Sequence, residues 1–100
     1  MGNPRRRPKL LPAKLLAIRE FLKVGQAGMA TKLQFEILSH FRQQLKIEAA
    51  RISAYEHGKR EPNLFVMIAY ARLGDVHMEY VVDDDVIMDQ FRARLGKSFH

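Results

Sequence analysis

The chain has no cysteine, no apolar run longer than the eight residues Leu64 to Ala71, and only four acids among its first sixty residues. Without cysteine there is neither a disulfide nor a thiolate metal site, and nothing demands an oxidising compartment. Eight apolar residues fall far short of the ~20 that span a bilayer, and the N-terminus carries charge without an apolar segment long enough for a secretory signal. The expectation is a cytoplasmic protein with no membrane partner. Recognisable catalytic patterns are lacking too. His40, His57, His77 and His100 are too scattered for a zinc motif, and Asp83-Asp84-Asp85 lacks the glycine and glutamate of a calcium loop. There is no glycine-rich phosphate loop and no nucleophile elbow. No site offers residues in named catalytic roles, so the expectation is a binding protein without metal or cofactor, not an enzyme.

The scarcity of early acids leaves a polarised charge distribution. Residues 1 to 60 carry 13 Lys and Arg against 4 acids, whereas residues 61 to 100 carry 4 against 7. One hundred residues make roughly one domain with a modest core. A basic half on such a domain selects a polyanion, which composition alone leaves open among DNA, RNA and an anionic membrane surface. The basic run starts at once: Pro4, Pro8 and Pro12 discourage helix while Arg5, Arg6, Arg7 and Lys9 follow each other closely. Residues 1–11 therefore read as a basic flexible arm, either a solubilising tail or one whose Arg5, Arg6 and Arg7 enter a DNA minor groove.

Helical periodicity accounts for the rest. Leu15, Leu16, Ile18 and Leu22 predict a first helix over 13–23, stopped by Gly25, and a short second helix over 26–33 puts Met29, Ala30 and Leu33 inward. Between Phe35 and His57 there is no Gly or Pro, and Ile37, Leu38, Phe41 and Leu45 recur at helical spacing. The segment Ile52-Ser53-Ala54-Tyr55-Glu56-His57-Gly58-Lys59-Arg60-Glu61-Pro62 reads as a helix end, a glycine stop, a basic turn and a proline start of the next helix. Lys59 and Arg60 on that turn are placed to meet phosphate. A further apolar helix is expected over 63–73, closed by Gly74, and a short one over 77–82.

The stretch from Ile52 to Pro62, with the helix, glycine and short helix after it, resembles the lambda-repressor-like, Cro-type helix-turn-helix family, over about Pro12 to Val82. The resemblance implies an all-α, five-helix DNA-binding domain over 12–82. It further implies a recognition helix at about 48–57 in the major groove, with Ala49, Ala50 and Ala54 at the base-reading positions, Ile52 and Tyr55 inward, and Gln26 opening helix 2 against a phosphate. Arg19 and Glu56 match two positions that pair in the family. Such a partly buried pair, once broken, leaves an uncompensated charge costing roughly 3 to 5 kcal/mol. Of the residues beside the base-reading positions, Arg51 is the best candidate for direct readout, since arginine takes guanine O6 and N7 together, with Ser53 as a helper. Alanine offers only contact with a thymine methyl, so the insert, through Arg42, Gln43, Gln44 and Lys46, or the arm is expected to add specificity.

The chain departs from the family at one place. Leu33 and Ile52 are nineteen residues apart where the family has about seven, so about twelve extra residues precede the recognition helix. They read as an inserted helix or an N-terminally lengthened recognition helix. A second alignment makes Phe41 to Ile47 the end of helix 2 and its turn, with the extra residues before helix 2. Residues 83–100 form an amphipathic extension, an Asp-capped helix whose Val86, Ile87, Phe91 and Leu95 either pack back on the core or pair two copies. The implied function is a sequence-specific, repressor-like transcriptional regulator acting on double-stranded DNA as a homodimer, with the insert or the C-terminal helix free for a protein partner. The alternative is a protein-interaction adaptor that has lost base reading and exposes Phe41 and Leu45.

Overall fold

A computed structural model describes residues 7–98. Among these residues the chain is all-helical, with six helices: α1 (Leu11–Leu22), α2 (Gln26–Phe41), α3 (Ala49–Glu56), α4 (Leu64–Leu73), α5 (Met78–Val82) and α6 (Met88–Arg94). α2 packs on α3 and α4, α1 lies against α3, α4, α5 and α6, and one core joins them.

Helix α1 opens with Pro12 in its first turn, where a missing N–H costs nothing. The Asp84 carboxylate accepts the backbone N–H groups of Lys9 and Leu10 at 2.8 and 2.9 Å, so the loop before α6 caps the approach to α1. Accepting those two bonds, with help from Lys14 and Lys9, holds the Asp84 carboxyl below its ordinary value. Its inward stripe is Leu11, Lys14, Leu15 and Ile18, at the i, i+3, i+4, i+7 spacing of one helix face. α4 starts behind Asn63, whose side-chain oxygen accepts the Val66 N–H at 3.0 Å. Pro62 thus stands two residues ahead of the helix and is buried; the cap is Asn63.

Three expectations are corrected. The extra residues form neither an inserted helix nor a longer recognition helix. They lengthen α2, which begins at Gln26 and runs sixteen residues to Phe41, and they widen the following connection to 42–48. The helix continues past Leu33 because Ile37 supplies another buried turn, and it stops at Arg42, which takes the left-handed conformation (φ 54°) with its N–H on Leu38 O. Thus α2 starts where one alignment begins helix 2 and ends where the other ends it. Leu45 lies outside any helix, and Phe41 and Leu45 are half-buried against the core, Phe41 with its ring 5.1 Å from that of Phe65. Last, no aspartate caps α6: the helix starts at Met88 behind Ile87, while Asp83 Oδ1 accepts the Asp85 N–H. Phe91 and Leu95 of the expected C-terminal stripe are buried in the chain's own core, leaving Ile87 exposed.

Candidate nucleic-acid interface

Helix α3 is short, and at eight residues isolated helicity would be marginal, so its order comes from packing. Ile52 and Tyr55 are its buried anchors, the Tyr55 ring meeting Tyr70 edge-on at 6.5 Å. At its C-terminal end the carboxylate of Glu56 is gripped from α1. Arg19 Nε donates to Glu56 Oε2 at 2.6 Å and Nη2 donates to Oε1 at 3.0 Å, a two-pronged pair, while Arg19 Nη1 donates to Val24 O at 3.1 Å. Gln26 Nε2 adds a third donor to Glu56 Oε1 at 3.2 Å. The Glu56 bond raises the Arg19 guanidinium above its ordinary value. Planar, bidentate pairing of this kind fixes orientation as well as charge.

The opposite side of α3 is chemically bare. Ala50 is exposed, and Ala49, Arg51, Ser53 and Ala54 are half-buried. Arg51 makes no ion pair among the described residues, whereas Ser53 Oγ lies 3.3 Å from Nδ1 of His57, the C-cap residue of the same helix. After α3, Gly58 (φ 73°) makes the reversal and the Lys59 and Arg60 N–H groups both donate to Ala54 O. The side chains of Lys59 and Arg60 are left on the surface.

The structure brings Arg19, Gln26 and Glu56 into one network, so Gln26 is partly engaged inside the protein at the mouth of α2. It also brings the described end of the arm to the basic turn: Arg7 Nη1 donates to Gly58 O at 3.4 Å, and Arg7 Nε is 3.8 Å from Glu61 Oε2. Arg5 and Arg6 lie outside the described residues. Before α3, Ile47 is buried and its N–H donates to Gln34 Oε1 on α2 at 3.0 Å, which pins the 42–48 connection. Lys46, Glu48, Ala50 and Arg51 line an open hollow of about 320 Å³ where that connection meets α3. A second groove, of about 490 Å³, runs between Phe35 and Leu38 of α2 and Gln44, Leu45 and Lys46. Phe35 is 71% exposed and Leu38 46%; Phe41 and Leu45, named for that role from the sequence, are not the exposed pair.

Two structural roles escaped the sequence reading. Lys14 is fully buried, its Nζ donating to Tyr80 O at 2.6 Å and Asp83 O at 2.7 Å and standing 5.4 Å from the centre of the Phe91 ring. Burial pushes its ammonium below the ordinary value, against the opposing pull of Asp84 and Asp83. The available sign was a lysine at the same helical phase as Leu11, Leu15 and Ile18. Gln34 left no sign, since its partner is a backbone N–H thirteen residues away.

Among the described residues no group of three or more His, Asp and Glu is placed to hold a metal ion, and no helix is long and apolar enough to cross a membrane. Comparison with protein families, with curated proteins and with solved structures found no match to this chain.

Proposed function

We propose that this chain is a sequence-specific DNA-binding transcriptional regulator of the repressor type, built as a lambda-repressor-like helix-turn-helix domain with a lengthened helix 2 and acting in the cytoplasm. The observation that carries the reading is the two-sidedness of α3. One side is locked by Ile52, Tyr55 and the Arg19–Glu56–Gln26 network. The other presents small side chains and Arg51, which makes no ion pair among the described residues, with exposed Lys59 and Arg60 beyond its end. A helix with small outward residues admits close approach to a major-groove floor, and cations at its margins meet the flanking phosphates. In this reading Arg51 is the base reader on α3, Ser53 its helper, and Lys59, Arg60 and Gln26 meet the backbone. The role is one of binding, without metal, cofactor or catalysis. The acting unit is a two-fold homodimer, since half-sites one helical turn apart (~34 Å) mirror such symmetry.

The test is selection of the purified protein against a randomised duplex pool at about 150 mM salt, where purely electrostatic binding is suppressed. An enriched, palindromic motif is the expected result. The exposed Phe35 and Leu38 favour a second reading, an adaptor that keeps the fold and binds a protein along α2. No enrichment, with duplex binding that vanishes as salt rises, overturns the first reading, leaves only non-specific polyanion attraction and turns the search to a protein partner.

A further inference from the structure

We infer that the 42–48 connection is a base-reading element: Arg42, Gln43 and Gln44 supply the hydrogen-bond chemistry that the alanine face of α3 lacks, and Lys46 meets the adjoining phosphate. The inference rests on the DNA-binding reading of α3 and deepens it.

The connection joins the two elements that such a reading aligns on the duplex. It leaves the left-handed cap at Arg42 and enters the N-cap of α3 at Glu48, in extended conformation (φ −112°, ψ 165°). The N-terminal end of a recognition helix is the end that reaches base edges, so residues joined to that end travel into the groove with it. Lys46 and Arg51 border the same hollow, and Lys46 also lines the adjacent groove with Gln44, so the surface runs on from α3 through Lys46 to Gln44.

It is also built to hold a shape. Arg42 and Gln43 are both exposed, and from Gln44 to Glu48 exposure alternates: Leu45 and Ile47 turn inward, and Gln44, Lys46 and Glu48 turn outward. That is the two-residue period of an extended chain lying on a core. The inward pair is anchored by burial of Ile47 and by the Ile47 N–H on Gln34 Oε1, with Leu45 packed against the core. These anchors hold Gln44, Lys46 and Glu48 at set positions, and the cap bond from the Arg42 N–H to Leu38 O fixes the start of the connection, so it gives up less conformational freedom on binding than a free loop.

The outward side chains have their hydrogen-bonding groups to spare. Arg42, Gln43 and Gln44 are exposed and find no side-chain partner among the described residues; Lys46 Nζ stands 3.6 Å from Glu48 Oε1 in an exposed pair. The chemistry is that of direct readout. A Gln amide pairs with adenine N6 and N7 together, and Arg with guanine O6 and N7. The alanines of α3 complement this, because small side chains let the helix sit deep enough for the connection to reach the next base pairs.

The experiment is the same duplex selection, run on the wild-type chain and on the Gln43→Ala/Gln44→Ala variant, with Arg42→Ala in parallel. All three residues are exposed, and matching melting temperatures establish that the variants fold. The expected result is a shared motif in which one or two positions at the edge of each half-site lose their preference in the variants, by roughly 5- to 150-fold per lost bidentate contact. A wild-type motif that the variants reproduce at every position overturns the inference and leaves the DNA-binding reading intact. Failure of the wild-type chain to enrich any motif overturns both.

Discussion

Tyr70 is buried in the middle of α4, and its hydroxyl has no hydrogen-bond partner among the described residues. Burial pushes its phenol well above the ordinary value of 10.0, helped by the nearby Glu56 and Tyr55 and opposed by Arg19. An unsatisfied buried hydroxyl contributes nothing that a phenyl ring would not, so Tyr70→Phe is expected to leave stability at neutral pH unchanged or raise it by about 1 kcal/mol. The pH dependence has a definite sign. Because the folded-state value lies above the unfolded one, the unfolded chain sheds this proton first, and the wild type loses stability as pH rises through and beyond 10. Tyr70→Phe removes that loss, so the stability gap between variant and wild type should widen by about 1.4 kcal/mol per pH unit above pH 10. Urea melts of both proteins at pH 8, 10 and 11 measure it, and the difference cancels every other group titrating there. A constant gap would mean that the phenol is not withheld from ionisation in the folded chain.

At the scale of the elements, α5 is only five residues long and has no cap of its own from a side chain at its N-terminus. Its C-terminal carbonyls lean instead on Lys14 of α1, a cation at the negative end of a helix. Hydrogen bonds to a charged donor are worth about 1.5–3 kcal/mol each, and Lys14→Met keeps the stem while deleting both, so the expected loss is about 2–4 kcal/mol after relief of the buried charge. In a domain of this size that lowers Tm by roughly 10 °C or more; an unchanged or higher Tm would show that burying the charge costs as much as its two bonds return. This joint was hidden in the sequence because reading α1 from Ala13 left Leu11 out of its stripe, and without Leu11 the phase of Lys14 looks polar. Helices α1 and α4 were legible, since each combines an apolar period with a Gly, Pro or Asn at its margin, and α5 was legible from Met78, Val81 and Val82 soon after Gly74. The length of α2 was not: its stop is Arg42 in a left-handed conformation, and unlike the end of α1 at Lys23, which Gly25 follows, it has no Gly or Pro nearby to announce it. Likewise the Arg19–Glu56 pair was legible as two matching positions, whereas the bond from Gln26 to Glu56 was not expected, and the tie from Gln34 to Ile47 depends on where α2 ends and could not be seen without that end.

Over the whole molecule, the acids of the basic half are largely spoken for: Glu56 by Arg19, Glu36 by Arg72 and His40, and Glu48 by Lys46. The cations outnumber them, and among the described residues Arg51, Lys59 and Arg60 make no ion pair around α3. Such an excess attracts any duplex, and what distinguishes a reader from a sticky surface is how the loss of each charge is distributed over sequences. On the proposed docking, Lys59 and Arg60 touch phosphate only. Lys59→Ala and Arg60→Ala should therefore weaken the selected site and random DNA alike, each lowering the magnitude of the salt-dependence slope by about 1. Arg51→Ala should weaken the selected site by about 1–3 kcal/mol more than random DNA and relax preference at the base pair it contacts. Fluorescence anisotropy with the selected duplex and a scrambled one, across a salt series, reads both quantities from the same titrations. Equal losses on the two duplexes for Arg51→Ala would demote Arg51 to a phosphate contact and shift the burden of base reading onto the two glutamines and the arginine of the connection before α3.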